Sequence, residues 1–297
     1  MSRQQIVRDN GRRGIGDDAR RTVLAGAPVT ERRLDLHGVS TAVLEAGDGP
    51  PVVLLHGQGG WAGMWLSVIP ELMRTSRVVA PDLPGLGASQ VPDGPPDAAG
   101  VLAWLGELIQ RTCPTPPALV GASLGASIAA RFAIAHPDQV SRLVLIGAGS
   151  LGRFRPAPGV ALAMIRFIAR PSERTQQGFM RQVAVDPARV RALMGQRWEA
   201  SQAYYLDRAR TPSVRAANRR LLRELGTRAI PPRELAQITV PTSLIWGRHD
   251  RVMRLRIAEA ASARYGWPLH VIENAGHFSM EQPEPFRAAL WAALGIR

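Results

Sequence analysis

The amino-acid sequence predicts an α/β fold in which a mostly parallel sheet of eight strands is flanked by helices. Two features of the chain point to this class. Short apolar runs rich in Leu, Val and Ile alternate with longer amphipathic runs along most of the sequence. The chain also has 297 residues, of which 45% are hydrophobic, which is enough for one large core. Strands that alternate with helices are joined by right-handed crossovers, so their sheet is mostly parallel.

Eight apolar runs, bounded by Gly, Pro or Asp, have the composition of strands buried on both faces. They are Arg33 to Leu36, Thr41 to Glu45, Val52 to Leu55, Arg77 to Ala80, Ala118 to Val120, Leu143 to Ile146, Thr242 to Trp246 and Leu269 to Ile272. The first two runs are close enough to form a hairpin. Amphipathic stretches between the runs predict helices near Trp65 to Met73, Ala98 to Gln110, Leu124 to Ala135, Met253 to Tyr265 and Pro285 to Leu294.

The alternation stops once, over residues 149–235, where the pattern is helical throughout and broken by prolines. A helical segment inserted between two strands predicts a lid. We therefore expect an α/β core over residues 31–148 and 236–297 and a helical lid over 149–235. Residues 1–30 are polar, rich in Arg and Gly, and aperiodic, which predicts a flexible leader.

Cysteine content and apolar segments indicate the compartment. The single cysteine, Cys113, cannot form an internal disulfide. No apolar run approaches the roughly 20 residues of a membrane-spanning helix, and the N-terminus has no apolar core of a signal peptide. These features predict a cytoplasmic protein that does not associate with a membrane.

The charge is strongly basic, with 37 arginines, no lysine and a formal net charge of +13. A total absence of lysine indicates a codon-composition bias, and no zinc-finger, helix-turn-helix or aromatic-plus-basic signature is present, so we expect no nucleic-acid partner. Residues 151–234 nevertheless hold 17 Arg against 6 Asp or Glu, an excess of +11. The lid could therefore attract an anionic or carrier-bound small-molecule substrate, or its arginines could be a solvated face. The sequence leaves the oligomeric state open.

A candidate nucleophile lies in the pattern G-x-S-x-G, which follows a predicted strand and precedes a predicted helix. The segment is Gly121-Ala122-Ser123-Leu124-Gly125. Such a serine occupies a tight turn, and its two glycines leave room for close backbone packing. The N-terminus of the next helix favours negative charge near Ser123. The alternative is a plain glycine-rich turn.

A second glycine-rich loop, His56-Gly57-Gln58-Gly59-Gly60, follows the third predicted strand. Its glycines allow the loop to fold over the nucleophile. The backbone N–H of Gln58, paired with that of Leu124, is the predicted oxyanion hole. His56 invites a role as catalytic base, but in this position we interpret it as a structural residue that hydrogen-bonds the loop.

With these motifs in order, the chain resembles the α/β-hydrolase fold superfamily, in its serine-nucleophile branch, from about Arg33 to the C-terminus. Four ordered features carry the resemblance: His56-Gly57, the segment Pro81 to Ser89, the turn at Ser123, and two late segments that each follow a predicted strand. In the Pro81 to Ser89 segment, Asp82 is expected to organise a turn. Ser127, one helical turn after the nucleophile, is expected to be a packed small residue.

The late segments supply the rest of a catalytic triad. Asp250 ends the segment Leu244 to Asp250 and matches the acid position of the superfamily, where a carboxylate holds the imidazole in its productive tautomer. The other common acid position is filled by Gly147-Ala148-Gly149, which strengthens this assignment. His277, between the last strand and the last helix, is the predicted general base.

A serine nucleophile argues against the relatives that attack with a carboxylate, such as haloalkane dehalogenases. We expect a carboxylic ester hydrolase that forms an acyl-enzyme intermediate. The alternatives are a C–C bond hydrolase of the meta-cleavage product type, or an acyltransferase or lyase with the same triad. The C–C hydrolases commonly have Trp where this chain has Phe278, and Asn and Met in place of Ala122 and Leu124. A receptor or inactive scaffold would not need all three triad residues. No metal cluster, dinucleotide fingerprint or phosphate loop is apparent, so we expect no cofactor and no metal.

Overall fold

The computed structural model describes residues 15–296, and an eight-stranded sheet forms its centre. The strands are β1 Thr30–Leu36, β2 Val39–Ala46, β3 Pro51–Leu55, β4 Arg77–Pro81, β5 Ala118–Ala122, β6 Arg142–Ile146, β7 Thr242–Gly247 and β8 Leu269–Ile272. All eight predicted strands are confirmed, with boundaries that differ by at most three residues.

The strands lie in the order β1-β2-β4-β3-β5-β6-β7-β8. The first two form an antiparallel hairpin, β2 pairs antiparallel with β4, and every later pair of neighbours is parallel. The predicted fold class is therefore confirmed. Because parallel strands end at the same edge of the sheet, the loops after β3, β5, β7 and β8 meet there, and such an edge is where ligands bind in α/β proteins.

The helices cover both faces of the sheet. They are α1 Ile15–Leu24, α2 Ile69–Leu72, α3 Ala98–Thr112, α4 Leu124–Ala135, α5 Pro158–Ala169, α6 Glu173–Val183, α7 Pro187–Met194, α8 Trp198–Arg210, α9 Pro212–Leu221, α10 Pro232–Leu235, α11 Leu255–Tyr265 and α12 Pro283–Leu294. Among residues 15–296, no helix combines the length and the apolar character needed to cross a membrane.

Each parallel strand contributes to two apolar cores, one on either face. On β6, Leu143 and Leu145 pack into the core beneath α3, α4 and α11, whereas Val144 and Ile146 pack into the core beneath α2 and α12. Side chains alternate between the faces of a strand, so a strand that is covered on both sides needs an apolar residue at every position. This is why the strands read as continuous apolar runs.

The segment between β6 and β7, residues 149–235, contains α5 to α10 and no strand of the sheet. We call it the helical insertion. Prolines that the sequence pattern marks as breaks begin its helices, since Pro158, Pro187 and Pro212 are each the first residue of a helix. Proline is favoured there because its missing N–H would have no intrahelical acceptor. The side chain of Asp186 also caps α7 by accepting from the Arg189 amide at 2.9 Å.

The prediction of a flexible leader over residues 1–30 needs correction. Residues 1–14 lie outside the described part of the chain, but Ile15–Leu24 form α1, and β1 begins at Thr30. The side of α1 that packs against the rest of the protein consists of Gly16, Ala19, Arg20 and Val23. Only one of these residues is strongly apolar, so the helical period does not appear as a hydrophobic pattern.

Candidate active site

Ser123 lies on the turn between β5 and α4, at the edge where the parallel strands end. Its φ of 52° and ψ of −109° lie in a region that residues other than glycine rarely adopt. The Ser123 amide anchors the turn by donating to the carbonyl of Ile146 at 2.7 Å, and the Ser127 amide donates to the Ser123 carbonyl at 3.1 Å. Strained backbone of this kind clusters at functional sites, because surrounding structure must hold it in place.

The two glycines beside Ser123 are required by packing. A Cβ atom at Gly121 would collide with the backbone of Gly125 and Ala126, and one at Gly125 would collide with the carbonyl of Leu55. The start of α4 therefore packs directly on the strands. Its N-terminus, with the partial positive charge of unpaired N–H groups, faces the region around Ser123.

The structure brings the three predicted triad residues together. His277, in the loop between β8 and α12, accepts a hydrogen bond at Nε2 from the Ser123 hydroxyl at 3.1 Å. Its Nδ1 donates to Oδ2 of Asp250, which follows β7, at 2.7 Å. The hydrogen bonds run in one line from hydroxyl to imidazole to carboxylate, across residues far apart in sequence.

Asp250 is held rigidly. Its side chain is about 1% exposed, and its second oxygen, Oδ1, accepts from the amides of Val252 and Met253, each at 2.8 Å. A carboxylate that is fixed by two backbone N–H groups keeps its other oxygen aimed at the imidazole. This arrangement selects the tautomer with the proton on Nδ1 and leaves Nε2 as the acceptor facing Ser123.

Two opposing influences act on the pKa of His277. Burial is the larger single influence and lowers it, whereas the charge of Asp250 and its hydrogen bond raise it. The two contributions from Asp250 together prevail, so the pKa of His277 is raised above its ordinary value. The pairing with Asp250 stabilises the imidazolium that forms whenever His277 takes a proton.

Gly147, which directly follows β6, makes room for His277 and Asp250. Its φ is +56°, and a Cβ atom there would lie 3.1 Å from Cε1 of His277 and 3.7 Å from Oδ2 of Asp250. The position at which the superfamily's alternative acid would follow β6 is thus occupied by a backbone turn that packs against the imidazole. A side chain here would crowd the contact between His277 and Asp250.

The His-Gly loop, residues 56–61, approaches the nucleophile from the end of β3. A Cβ atom at Gly57 would lie 3.4 Å from Cβ of Ser123, and Gly60 donates to the Gly57 carbonyl at 3.1 Å to close a tight turn. Within residues 15–296, no backbone hydrogen bond is formed by the amides of Gln58 and Leu124. Among the described residues, the two predicted oxyanion-hole donors therefore have no backbone acceptor.

His56 takes a structural role. It is fully buried; its Nδ1 donates to the Gly57 carbonyl at 2.8 Å, and its Nε2 accepts from the Leu83 amide at 2.9 Å. Burial lowers the pKa of His56, which favours the neutral form that these two bonds require. The imidazole therefore fastens the His-Gly loop to the loop after β4.

Asp82 and Ser127 are also structural, as the sequence suggests. Asp82 is fully buried and accepts from the amides of Ala62 at 2.6 Å and Ala88 at 2.7 Å. The Ser127 hydroxyl donates to the Ser123 carbonyl at 3.3 Å within α4. Neither side chain takes part in the line of hydrogen bonds through His277.

One group of residues near the site was not identified from the sequence. Arg20 of α1, with only 5% of its surface exposed, pairs with Asp82 at 2.9 Å and donates to the Tyr204 hydroxyl at 3.0 Å. Its guanidinium carbon lies 4.5 Å from the ring centroid of Trp61, which itself meets Tyr204 edge-to-face at 4.8 Å. Helix α1 and helix α8 of the insertion thus both contact the end of the His-Gly loop. Because the sequence predicts a leader over the residues of α1, it does not single out Arg20.

Two further contacts join the insertion to the loops around the site, and the sequence analysis missed both. Asn218 of α9 accepts from the Gly59 amide through Oδ1 at 3.1 Å. Glu281, four residues after His277, accepts backbone hydrogen bonds from Gly276 and from the insertion. The segment after His277 mixes apolar and polar residues and holds a second carboxylate, Glu284, so no sequence signal singles out Glu281.

The described residues offer no cluster of three or more His, Cys, Asp or Glu side chains arranged to hold a metal ion. The groups at the site are a hydroxyl, an imidazole, a carboxylate and backbone amides. Such groups can perform covalent acyl transfer with proton transfer by the imidazole.

Similar proteins indicate the family of this chain. The family model described as "Alpha/beta hydrolase family" matches residues 52–289. A 2-hydroxy-6-oxo-6-(2'-aminophenyl)hexa-2,4-dienoic acid hydrolase of Metapseudomonas resinovorans is 28% identical over 90% of this chain and 91% of its own length. Hydrolases of related 2-hydroxy-6-oxo-dienoates recur among the matching relatives.

Esterases match as well. A pimeloyl-[acyl-carrier protein] methyl ester esterase of Aeromonas hydrophila is 27% identical over 80% of this chain and 92% of its own length. The crystal structure of a bacterial membrane phospholipase A superposes with a TM-score of 0.76 at 28% identity, covering 95% of this chain and 90% of that one. The family model spans most of the chain, and these relatives cover 80% to 95% of it. The chain belongs to the alpha/beta hydrolase family and is a hydrolase.

Proposed function

We propose that the protein hydrolyses a carboxylic ester or a related acyl bond, with Ser123 as nucleophile, His277 as general base and acid, and Asp250 as the carboxylate that orients His277. The observation that carries this proposal is the line of hydrogen bonds from Ser123 through His277 to Asp250, at 3.1 and 2.7 Å, built on a strained turn. A catalytic triad is recognised by this geometry and by the roles of its members.

In the acylation half of the reaction, the Ser123 oxygen attacks the carbonyl carbon of the ester while its proton passes to Nε2 of His277. The imidazolium is stabilised by Asp250, which receives no proton. Collapse of the tetrahedral intermediate breaks the bond to the alcohol, which leaves with the proton from Nε2. The products of this half are the free alcohol and an acyl group bound to Ser123.

In the deacylation half, water replaces the alcohol. His277 takes a proton from the water, whose oxygen attacks the acyl carbon, and then returns that proton to the Ser123 oxygen as the carboxylic acid leaves. In each half, negative charge develops on the carbonyl oxygen. We propose that the free amides of Gln58 and Leu124 bind this oxygen, because preorganised N–H donors stabilise a transition-state charge more than they stabilise the ground state.

A second candidate function is hydrolysis of a C–C bond in a 2-hydroxy-6-oxo-dienoate. The relative from Metapseudomonas resinovorans, which carries that substrate in its name and aligns along 91% of its length, favours this alternative. Against it stand Ala122, Leu124 and Phe278, where C–C hydrolases commonly have Asn, Met and Trp. The pimeloyl-[acyl-carrier protein] methyl ester esterase of Aeromonas hydrophila supports the first candidate. We therefore place ester hydrolysis first.

One substrate panel separates the candidates: short and long p-nitrophenyl esters, a lactone, an acyl thioester and a 2-hydroxy-6-oxo-dienoate. We expect turnover of at least one ester or thioester, with little or none of the dienoate. Turnover of the dienoate alone would reverse the ranking. Adding an alcohol as a competing acceptor tests acyl transfer, because an acyltransferase would form a new ester in place of the acid.

The triad itself is tested by Ser123→Ala and by a serine-directed phosphonate. The alanine variant should fold but show almost no turnover, and the phosphonate should label wild-type protein at Ser123 alone. Ser127→Ala is the matched control, since Ser127 lies on the same helix and outside the triad. An active Ser123→Ala variant, or labelling at another residue, would refute the proposed mechanism.

A further inference from the structure

We propose that Glu281 is a positioning residue for His277. It connects the loop between β8 and α12, which carries His277 and which we call the catalytic loop, to the helical insertion. The proposal rests on the proposed function, since it assigns to His277 the role of general base. Glu281 does not touch the reacting atoms. It acts through the backbone on either side of the imidazole.

Glu281 is a fully buried carboxylate whose ligands are backbone amides. The residue has 0% of its surface exposed to solvent. Its Oε1 accepts a hydrogen bond from the amide of Gly276, the residue before His277, at 2.6 Å. The amide of Val185 lies 3.0 Å from Oε1 and 2.9 Å from Oε2, and that of Asp186 lies 2.8 Å from Oε2. Val185 and Asp186 form the linker between α6 and α7 of the insertion.

Burial of a carboxylate costs free energy unless hydrogen bonds or ion pairs compensate for the lost hydration. A charge removed from water must be compensated, and here three backbone N–H groups converge on the two oxygens, while none of the ion pairs among the described residues includes the Glu281 side chain. A carboxylate can accept several bonds and donates none, so it suits a point where three donors meet. Two of the donors belong to the insertion and the third to the catalytic loop. Glu281 is thus the shared acceptor of both segments.

The opposite side of His277 is fixed to the same linker region. The amide of Phe278, the residue after His277, donates to the carbonyl of Val183 at the end of α6 at 3.1 Å. A Cβ atom at Gly276 would collide with that carbonyl, so the two backbones are packed closely. The imidazole is therefore bracketed: both neighbouring residues bind the stretch from Val183 to Asp186, one directly and one through Glu281.

Helix α7 adds a further restraint. The Nε group of Arg189 donates to the backbone carbonyl of Glu281 at 3.0 Å, which holds the turn on which Glu281 lies. If the α6–α7 linker moves, or if Glu281 loses one of its oxygens, the Gly276 amide loses its acceptor and the loop can shift. A displacement of about 1 Å at a catalytic group can lower the rate about 100-fold.

The first test is Glu281→Gln, with Glu259→Gln, an exposed glutamate on α11, as its matched control. Glutamine keeps the shape but turns an NH₂ group toward one of the backbone donors. We expect kcat per phosphonate-titrated site to fall about 10- to 100-fold with KM changed less than threefold, since misplacement of His277 affects the chemical step. The control should match wild type.

The second readout is the pKa of His277, measured by NMR titration of the imidazole and by the pH dependence of kcat. The contact with Asp250 raises this pKa, so loosening the loop should move the midpoint toward lower pH in Glu281→Gln. A residue that only stabilised the fold would lower the melting temperature and the fraction of titratable sites, leaving the kcat per site and the midpoint as in wild type. That result would overturn the proposal.

A milder variant tests the proposal even if Glu281→Gln does not fold. Arg189→Gln removes the bond to the Glu281 carbonyl from a partly exposed side chain, and Arg191→Gln, on the exposed side of the same helix, is its control. We expect a drop of about three- to tenfold in kcat for the first, in line with one hydrogen bond, and no change for the second. Equal kcat and equal midpoints in both variants would count against the proposal.

The NMR titration also separates this inference from the proposed function. If wild type and Ser123→Ala show equally little turnover of every substrate but Glu281→Gln still shifts the His277 midpoint, the proposed reaction fails and the positioning role stands. If wild type hydrolyses esters through Ser123 and Glu281→Gln changes neither kcat nor the midpoint, the positioning role fails and the proposed reaction stands.

Discussion

The nucleophile turn and the helical insertion both shape the same site, but they do so through contacts of different range. Ser123 is held by residues within β5, α4 and the neighbouring strand, and its two glycines contact backbone only a few residues away or on the adjacent strand. The insertion instead reaches the site through contacts between residues far apart in sequence, which include Asn218 with Gly59, Tyr204 with Trp61, and the Val185 amide with Glu281.

One part of the site is therefore determined by the sheet, and the other depends on the position of the insertion. The sheet topology places the loops that carry Ser123, Asp250 and His277 at one edge, where the three side chains lie within hydrogen-bonding distance. The loops that carry His277 and the predicted oxyanion donor Gln58 then rest against the insertion. Changes in the triad should therefore abolish chemistry, whereas changes at the insertion contacts should reduce it by smaller factors.

The largest effect is expected from Asp250→Asn, which changes one of the three predicted triad residues. An amide cannot hold His277 with its proton on Nδ1, and in a serine protease the equivalent change lowers kcat by about 10⁴-fold. We expect a loss of this order with folding retained, measured as kcat on the best ester of the panel. The control is Asp138→Asn, an exposed aspartate after α4. Nearly full activity in Asp250→Asn would mean that another group orients His277.

The pH dependence of the reaction tests the same pair by a smaller effect. Only the neutral imidazole accepts the proton of Ser123, so kcat should rise with pH through the pKa of His277 and fall about tenfold per unit below it. Because Asp250 raises that pKa, the midpoint should lie above the ordinary histidine value. In Asp250→Asn the residual activity should show a lower midpoint. An unchanged midpoint in that variant would contradict the electrostatic role assigned to Asp250.

The sequence predicted the fold and the triad because their signals are local. Each strand from β3 to β7 is covered on both faces and therefore reads as an apolar run. Each predicted triad residue lies in the loop that follows a strand, since Ser123 comes directly after β5, Asp250 follows β7 and His277 follows β8. Gly121 and Gly125 report a close backbone contact that side chains would prevent. Residues with such requirements can be identified without knowing what lies opposite them.

The insertion contacts could not be predicted in the same way. Asn218 and Arg20 look like ordinary polar residues of surface helices, and their partners lie 159 and 62 positions away in sequence. The role of Glu281 depends on where the α6–α7 linker lies, and neither side carries a pattern that specifies this pairing. Long-range polar contacts are set by the tertiary arrangement, so the sequence indicates the candidate catalytic residues but not the residues that hold their loops.

A smaller effect is expected from Asn218→Leu, which removes the acceptor for the Gly59 amide with little change in volume. The His-Gly loop would lose its bond to α9, and the Gln58 amide beside it would be less well placed for the oxyanion. We expect kcat to fall about three- to tenfold, the worth of one hydrogen bond, with KM nearly unchanged. Affinity for a trifluoromethyl ketone, which forms an oxyanion on Ser123, should weaken by the same factor.

Gln177→Leu, at an exposed amide on α6, is the control for Asn218→Leu and should leave both quantities unchanged. If Asn218→Leu binds the trifluoromethyl ketone as tightly as wild type, the insertion does not position the His-Gly loop. In that case the dependence on the insertion would be confined to the His277 side of the site.

The smallest effect concerns the charge of the insertion. Its 17 arginines exceed its 6 acidic residues within residues 151–234, and Arg153, Arg155, Arg166 and Arg170 are exposed around α5. We propose that this surface attracts an anionic or carrier-bound substrate by long-range electrostatics. Such attraction weakens as the Debye length falls from about 10 Å at 0.1 M salt to about 3 Å at 1 M.

For an ester that bears a carboxylate, kcat/KM should fall several-fold over this range, whereas kcat/KM for a neutral ester of matched shape should change little. The double variant Arg166→Gln/Arg170→Gln should reduce the salt response of the charged ester alone. An equal response of both esters would show that these arginines are a solvated face with no part in recognition, and the role of the insertion would then rest on its contacts with the catalytic loops.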